Sequence, residues 1–192
     1  MFAAYVLRFR DTFLETILAA ALTIMLCMQG NPGFAALSVC VVVFTGLSQF
    51  ANGGVAVWSL HRGTSAYTYL CMICSQLVIY ILLWLVMNLL TLPWGGPTMF
   101  GFLCSFAGVI SGTVICTMLG IVFPMTKYNP LTAIVGLGAF ALAGTFSLFA
   151  IGLLDLNGPI LVIIIVSVLA MMVLYSILGI HTHQRRVRYE HR

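Results

Sequence analysis

The chain is 192 residues long, 62% hydrophobic and 6% charged, with a mean hydropathy of +1.14. A soluble domain carries about 25% charged residues, so this composition cannot coat a 20.9 kDa globule in water. It excludes an ordinary soluble domain and indicates an integral membrane protein. The net charge of +4 takes its meaning from where the basic residues fall.

Glycine, proline and charge divide the chain into six apolar runs, each long enough to cross a bilayer, although the first is short. The first covers residues 12–29 and ends at Gly30-Asn31-Pro32-Gly33, a turn signal. The second covers 34–60 and stops at His61-Arg62-Gly63-Thr64. The third, 67–90, breaks at Leu92-Pro93-Trp94-Gly95-Gly96-Pro97, and the fourth, 98–123, at Pro124 and the segment around Lys127. The fifth covers 131–153, and the sixth, 160–180, runs into a polar tail, 181–192. Unpaired backbone groups in lipid cost several kcal/mol each, so the expected fold is all-α, a single polytopic domain of six spans.

With the N-terminus inside, Arg8, Arg10, Arg62, Lys127, Arg185, Arg186, Arg188 and Arg192 all fall on the cytoplasmic side. These are all the lysines and arginines in the chain, and the outer connections carry only Asp155. The expectation is therefore that both termini are cytoplasmic. The basic charge is then a topology signal and a collar against anionic headgroups, with no nucleic acid as partner. The first run is expected to stay on the mature chain, because Asp11 and Glu15 flank it beside the arginines. Upstream, Phe2, Tyr5, Val6, Phe9 and Phe13 recur at helical spacing opposite Arg8, Asp11 and Glu15. That pattern fits a short amphipathic helix lying in the interface, or simply the cytoplasmic end of the first span.

Catalytic chemistry has little to work with. The acidic residues are Asp11, Glu15, Asp155 and Glu190, and most acid–base sites need more convergent carboxylates. Lys127 is followed by Tyr128, so no phosphate-binding loop exists, and neither a zinc-protease helix nor a nucleophile elbow occurs. The chain is expected to be no enzyme and to hold no cofactor or metal. The pair Cys71 and Cys74 lies within a span without a partner pair, which favours a structural role over metal or redox use. His181, His183 and His191 stand among arginines, which favours headgroup contact over metal binding. All six cysteines lie inside apolar runs and reveal no redox compartment.

Gln49 and Asn52, about one turn apart, are the polar cluster singled out within a span, with Asn88 a weaker single case. Such amides glue helices or line a substrate path or dimer seam. Small residues crowd the fourth and fifth runs, among them Gly101, Gly108, Gly112, Gly120, Gly136, Gly138 and Gly144. Close intramolecular packing accounts for them, and a dimer seam is a further use. In the loop after the second run, Thr64 or Ser65 is a plausible N-cap for a short polar-aromatic helix through Tyr67 and Tyr69.

The Arg62-Gly63-Thr64 step after the second of six spans, followed by an aromatic-leucine stretch, resembles the membrane subunit of ABC transporters of the ABC-2 (type V exporter) class. The Gly/Phe-rich segment Gly144 to Phe149 and the broken connection to the sixth run are similar too. His61 stands where that family has acidic residues, and the outer connection before the sixth span is short. The resemblance implies a permease that pairs with a second one, identical or homologous, and docks a cytosolic ATPase subunit through His61, Arg62, Gly63, Thr64, Tyr67 and Tyr69. ATP and Mg²⁺ would then sit on the partner subunit. The scarcity of polar groups suggests an amphiphilic or apolar cargo, and the cell membrane is the expected location. A small-ligand-binding subunit of an energy-coupling-factor vitamin uptake system, binding near Trp94, is an alternative. A non-transporting assembly or immunity factor is another.

Overall fold

The computed structural model describes residues 10–32, 38, 40–47, 64–123, 138 and 158–190. All of its regular elements are helical: α1 (Arg10–Met28), α2 (Cys40–Val43), α3 (Ser65–Thr91), α4 (Met99–Val122) and α5 (Gly158–Glu190). Among the described residues, three helical stretches are long and apolar enough to cross a membrane, Ser65–Trp94, Met99–Val122 and Val162–Thr182. Thr12–Met28 is a shorter apolar helix. The fifth run lies outside the described residues except for Gly138, as does most of the second.

The helix boundaries follow local chemistry. Thr64 caps α3, its Oγ1 accepting from the Tyr67 N–H at 3.3 Å, and Thr98 caps α4, accepting from the Gly101 N–H at 3.1 Å. Each satisfies one of the orphan donors of a first turn, worth about 1 kcal/mol. After Thr91 the chain tightens into a 3-10 turn, Leu92–Trp94, with Pro93 in its first positions. Gly95 and Gly96 then take φ of 97° and 71°, a region that costs side-chain-bearing residues strain. Within the apolar helices, hydroxyls bond back to carbonyls one turn earlier. Thr23 donates to Ala19 at 2.8 Å, Thr113 to Val109 at 2.6 Å, and Ser176 to Met172 at 2.8 Å.

Two departures from the sequence pattern stand out. In the second run, α2 stops after Val43. Phe44 and Thr45 then donate to carbonyls three residues back, Val41 and Val42, so this stretch is tightened rather than a uniform helix. In the sixth run, the helix extends beyond residue 180 through the polar residues to Glu190, because 181–190 contains neither Gly nor Pro to stop it.

Helices α3 and α4 form the centre. The first cluster of buried residues joins α1 (Ala19), α2 (Val42 and Val43), α3 (Ile79, Tyr80, Trp84 and Met87) and α4 (Val109 and Cys116). The second joins the start of α3 (Tyr69, Met72 and Ile73) to Ile121 of α4 and Ile180 of α5. Trp84 anchors the first cluster, its ring 4.5 Å from Phe102 and 5.1 Å from Phe106, tilted in both cases.

Glycines set the helix spacing. A Cβ on Gly120 would lie 2.6 Å from the Gly46 carbonyl oxygen and 2.7 Å from that of Leu47. Backbone therefore touches backbone where α4 passes the second run, and Gly112 similarly faces Val43. These small residues serve intramolecular packing. Gly120→Ala should cost about 1–3 kcal/mol through forced backbone displacement. Gly138→Ala, with open space around it, should leave the melting temperature in detergent unchanged. A comparison of the two melting curves checks this assignment.

Candidate functional site

The interior is more polar than the surface. Buried side chains include Gln76, Asn88, Thr91, Ser105, Thr113, Thr117 and Ser176, while Phe100, Leu103, Ile163, Val166, Met171 and Leu174 are exposed. That inversion suits an apolar solvent and would be costly in water.

Polar residues on one face of α3 make a ladder to its neighbours. Thr117 of α4 donates to the Gln76 Oε1 at 2.7 Å. One turn on, Tyr80 shares a short hydrogen bond with Thr45. After another turn, the Trp84 indole N–H donates to Ser105 Oγ at 2.9 Å. Thr23 of α1 pairs with Ser38 and lies 3.8 Å from the Met87 sulfur. The rungs at 76, 80 and 84 recur every four residues, so they stand above one another on one side of the helix. Sequence reading singled out Asn88 and passed over Gln76, Tyr80 and Trp84. The missed signal was the four-residue recurrence of hydrogen-bonding side chains within an apolar run.

Asn88 ends the ladder differently. It is buried, and its Nδ2 donates to the Trp84 carbonyl at 2.7 Å on its own helix. Its Oδ1 has no partner. The amide is thus turned inward, with one bond spent locally. Gln49 and Asn52, the other pathway or seam residues, lie outside the described residues.

The expected docking loop falls only partly within the described residues. His61, Arg62 and Gly63 lie outside the described residues. Thr64 is the N-cap, and no separate surface helix follows it. Ser65 to Thr91 form one continuous helix, so the polar-aromatic stretch is the first turns of a span. The reason is local: one good cap, then residues with no glycine or proline to interrupt the helix. Within those turns the two tyrosines part company. Tyr67 is 65% exposed and Tyr69 is 1% exposed. A two-residue step rotates the side chain by about 200° around a helix, so they cannot share a face. Tyr67, Leu70 and Cys74 form an exposed strip, and Tyr69 fills the second buried cluster against Ile121 and Ile180.

Cys71 is half-buried and Cys74 exposed, both free thiols. Among the described residues, no group of three or more His, Cys, Asp or Glu side chains comes together to hold a metal. What the described side chains offer is hydroxyl, amide and indole hydrogen bonding between helices, and an exposed apolar-aromatic strip at the start of α3.

Protein-family models, curated proteins and solved structures all yield no significant match to the chain. The class defined by the fold and its inverted polarity is a helical membrane protein.

Two predictions follow from the ladder and the helix start. Gln76→Leu and Thr117→Val, measured singly and together by unfolding in mixed micelles, should show a coupling of roughly 0.6–1.7 kcal/mol. Tyr69→Ala should lower stability by about 3 kcal/mol through cavity formation, whereas Tyr67→Ala should leave it within about 0.5 kcal/mol. Equal melting temperatures for the two tyrosine variants would contradict the opposed faces.

Proposed function

We propose that this chain is the membrane-spanning permease subunit of an ATP-driven transporter, with six spans and cytoplasmic termini in the cell membrane, of the ABC-2 type that its loop resembles. The observation that carries this reading is the contrast between Tyr67 and Tyr69 at the start of α3. Tyr67 is exposed three residues after Thr64, and Tyr69 is buried two residues later where α3 meets α4 and α5. A partner pressing on Tyr67 and Leu70 acts on a helix cap that is continuous with the junction of three helices. A push there is delivered to packed side chains, which rearrange between discrete states rather than yield gradually.

In this mechanism the chain breaks no bond. A separate cytosolic subunit binds ATP and Mg²⁺ and hydrolyses the nucleotide. Its closure tilts α3, and the ladder through Gln76, Tyr80 and Trp84 carries that tilt to α4 and the second run. A second permease, identical or homologous, supplies the other wall of the path. The apolar exposed faces favour an amphiphilic or apolar cargo, because a charged solute would need opposite charges along its route.

The test is a tagged pull-down from native membranes in mild detergent. The expected result is a soluble ATP-binding protein at equal stoichiometry, retained by the unaltered chain and reduced several-fold by Tyr67→Ala at unchanged melting temperature. A chain that emerges alone, carrying a bound small molecule, would replace this reading with ligand capture. A chain that emerges alone and empty would end the transporter assignment.

A further inference from the structure

The last helix is longer than a membrane requires. Its apolar span, Val162–Thr182, has 21 residues, a rise of about 31 Å, which matches a hydrocarbon core of about 30 Å. The helix itself runs to Glu190, so residues 183–190 carry it on by about 12 Å. The headgroup layer of one leaflet is roughly 5–8 Å thick. Arg185 therefore stands about 4–5 Å past the end of the span, and Arg188 about 9 Å. These depths bracket the phosphate layer.

The direction of that charge is set by packing. Ser176, Ile180 and Gln184 are buried, four residues apart, with Ile180 in the cluster shared with α3 and α4. They hold one side of the helix against the bundle. Leu174, Leu178, His181 and Arg185 are exposed on the opposite side. Advancing 100° per residue, these four fall within one stripe of about 60°. Along that stripe, apolar side chains give way to basic ones within a single turn.

We propose that this stripe binds an anionic phospholipid, the acyl chain lying along Leu174 and Leu178 and the phosphate held by His181 and Arg185. The chemistry of the stripe is that of the amphiphile. A guanidinium offers a planar fork of donors to phosphate oxygens, and the leucines offer a surface for methylenes. An acidic protein in the aqueous phase could engage only the basic end and would leave the adjoining leucine stripe unused. The site depends on the membrane character of the helix and is independent of whether the chain serves a transporter.

Native mass spectrometry of the full chain in mild detergent, titrated with phosphatidylglycerol or phosphatidylcholine, tests the assignment. The unaltered chain should retain phosphatidylglycerol in preference to phosphatidylcholine, and raised ionic strength should weaken that preference. R185Q should bind phosphatidylglycerol roughly fivefold more weakly. R185K, which keeps the charge, should retain most of the preference, separating charge loss from misfolding. Equal retention of the two lipids by the unaltered chain would overturn the proposal, as would unchanged retention in R185Q. Displacement of the lipid by inorganic phosphate at matched ionic strength would reassign the site to a free anion. Loss of an acidic protein from R185Q, with lipid retention intact, would reassign it to a protein partner.

Discussion

The hydrogen bond from Thr117 to Gln76 is the interaction on which the rest of the bundle depends. In water, an apolar core assembles because burial removes surface from solvent, at about 25 cal/mol per Å². In lipid that term nearly vanishes, since Ile73 against Ile121 merely replaces contacts with acyl chains. What remains is close packing and the need to satisfy each polar group that the helices carry inward. An amide on α3 that faced hydrocarbon alone would lose several kcal/mol. Facing α4, it fixes which sides of the two helices meet. With Gln76 committed, Tyr80 reaches Thr45 and Trp84 reaches Ser105 in successive turns.

The glycines act together with that ladder. Hydrogen bonds between short side chains such as Thr117 and Ser105 require helices to lie close, and Gly46 and Gly120 let backbones come into contact. Gly179 makes the same allowance between α5 and Ile121, where a Cβ would lie 2.7 Å from the isoleucine Cγ2. Registry set by polar pairs and separation set by missing side chains are complementary constraints. Each would be weak without the other, because a hydrogen bond between membrane helices contributes only about 0.6 kcal/mol on average.

The end of the bundle that holds the start of α3 also holds the later part of α5, through the cluster of Tyr69, Ile121 and Ile180. The exposed Tyr67 strip and the extension beyond Thr182 thus sit on helices joined by one buried junction. Among the described residues, hydroxyls, amides and an indole are the main interior polar groups.

Much of the architecture was legible without coordinates. Apolar run lengths indicated the helical class, and the turn around Pro93 to Gly96 and the candidate cap at Thr64 indicated the ends of α3, because these depend on composition and on contacts within a few residues. The likeness of the loop to a transporter family also came from sequence alone. Tertiary structure decided which polar groups matter. Gln76, Tyr80 and Trp84 are unremarkable members of an apolar run until Thr117, Thr45 and Ser105 from distant segments stand opposite them. It also decided that Tyr67 and Tyr69 do different work, since a side chain's exposure depends on what packs on each face of its helix. The sequence alone therefore determined the helical class and the solvent it suits. Partner choice and facing arose only on assembly, because hydrogen bonds and close approach between helices join residues tens of positions apart.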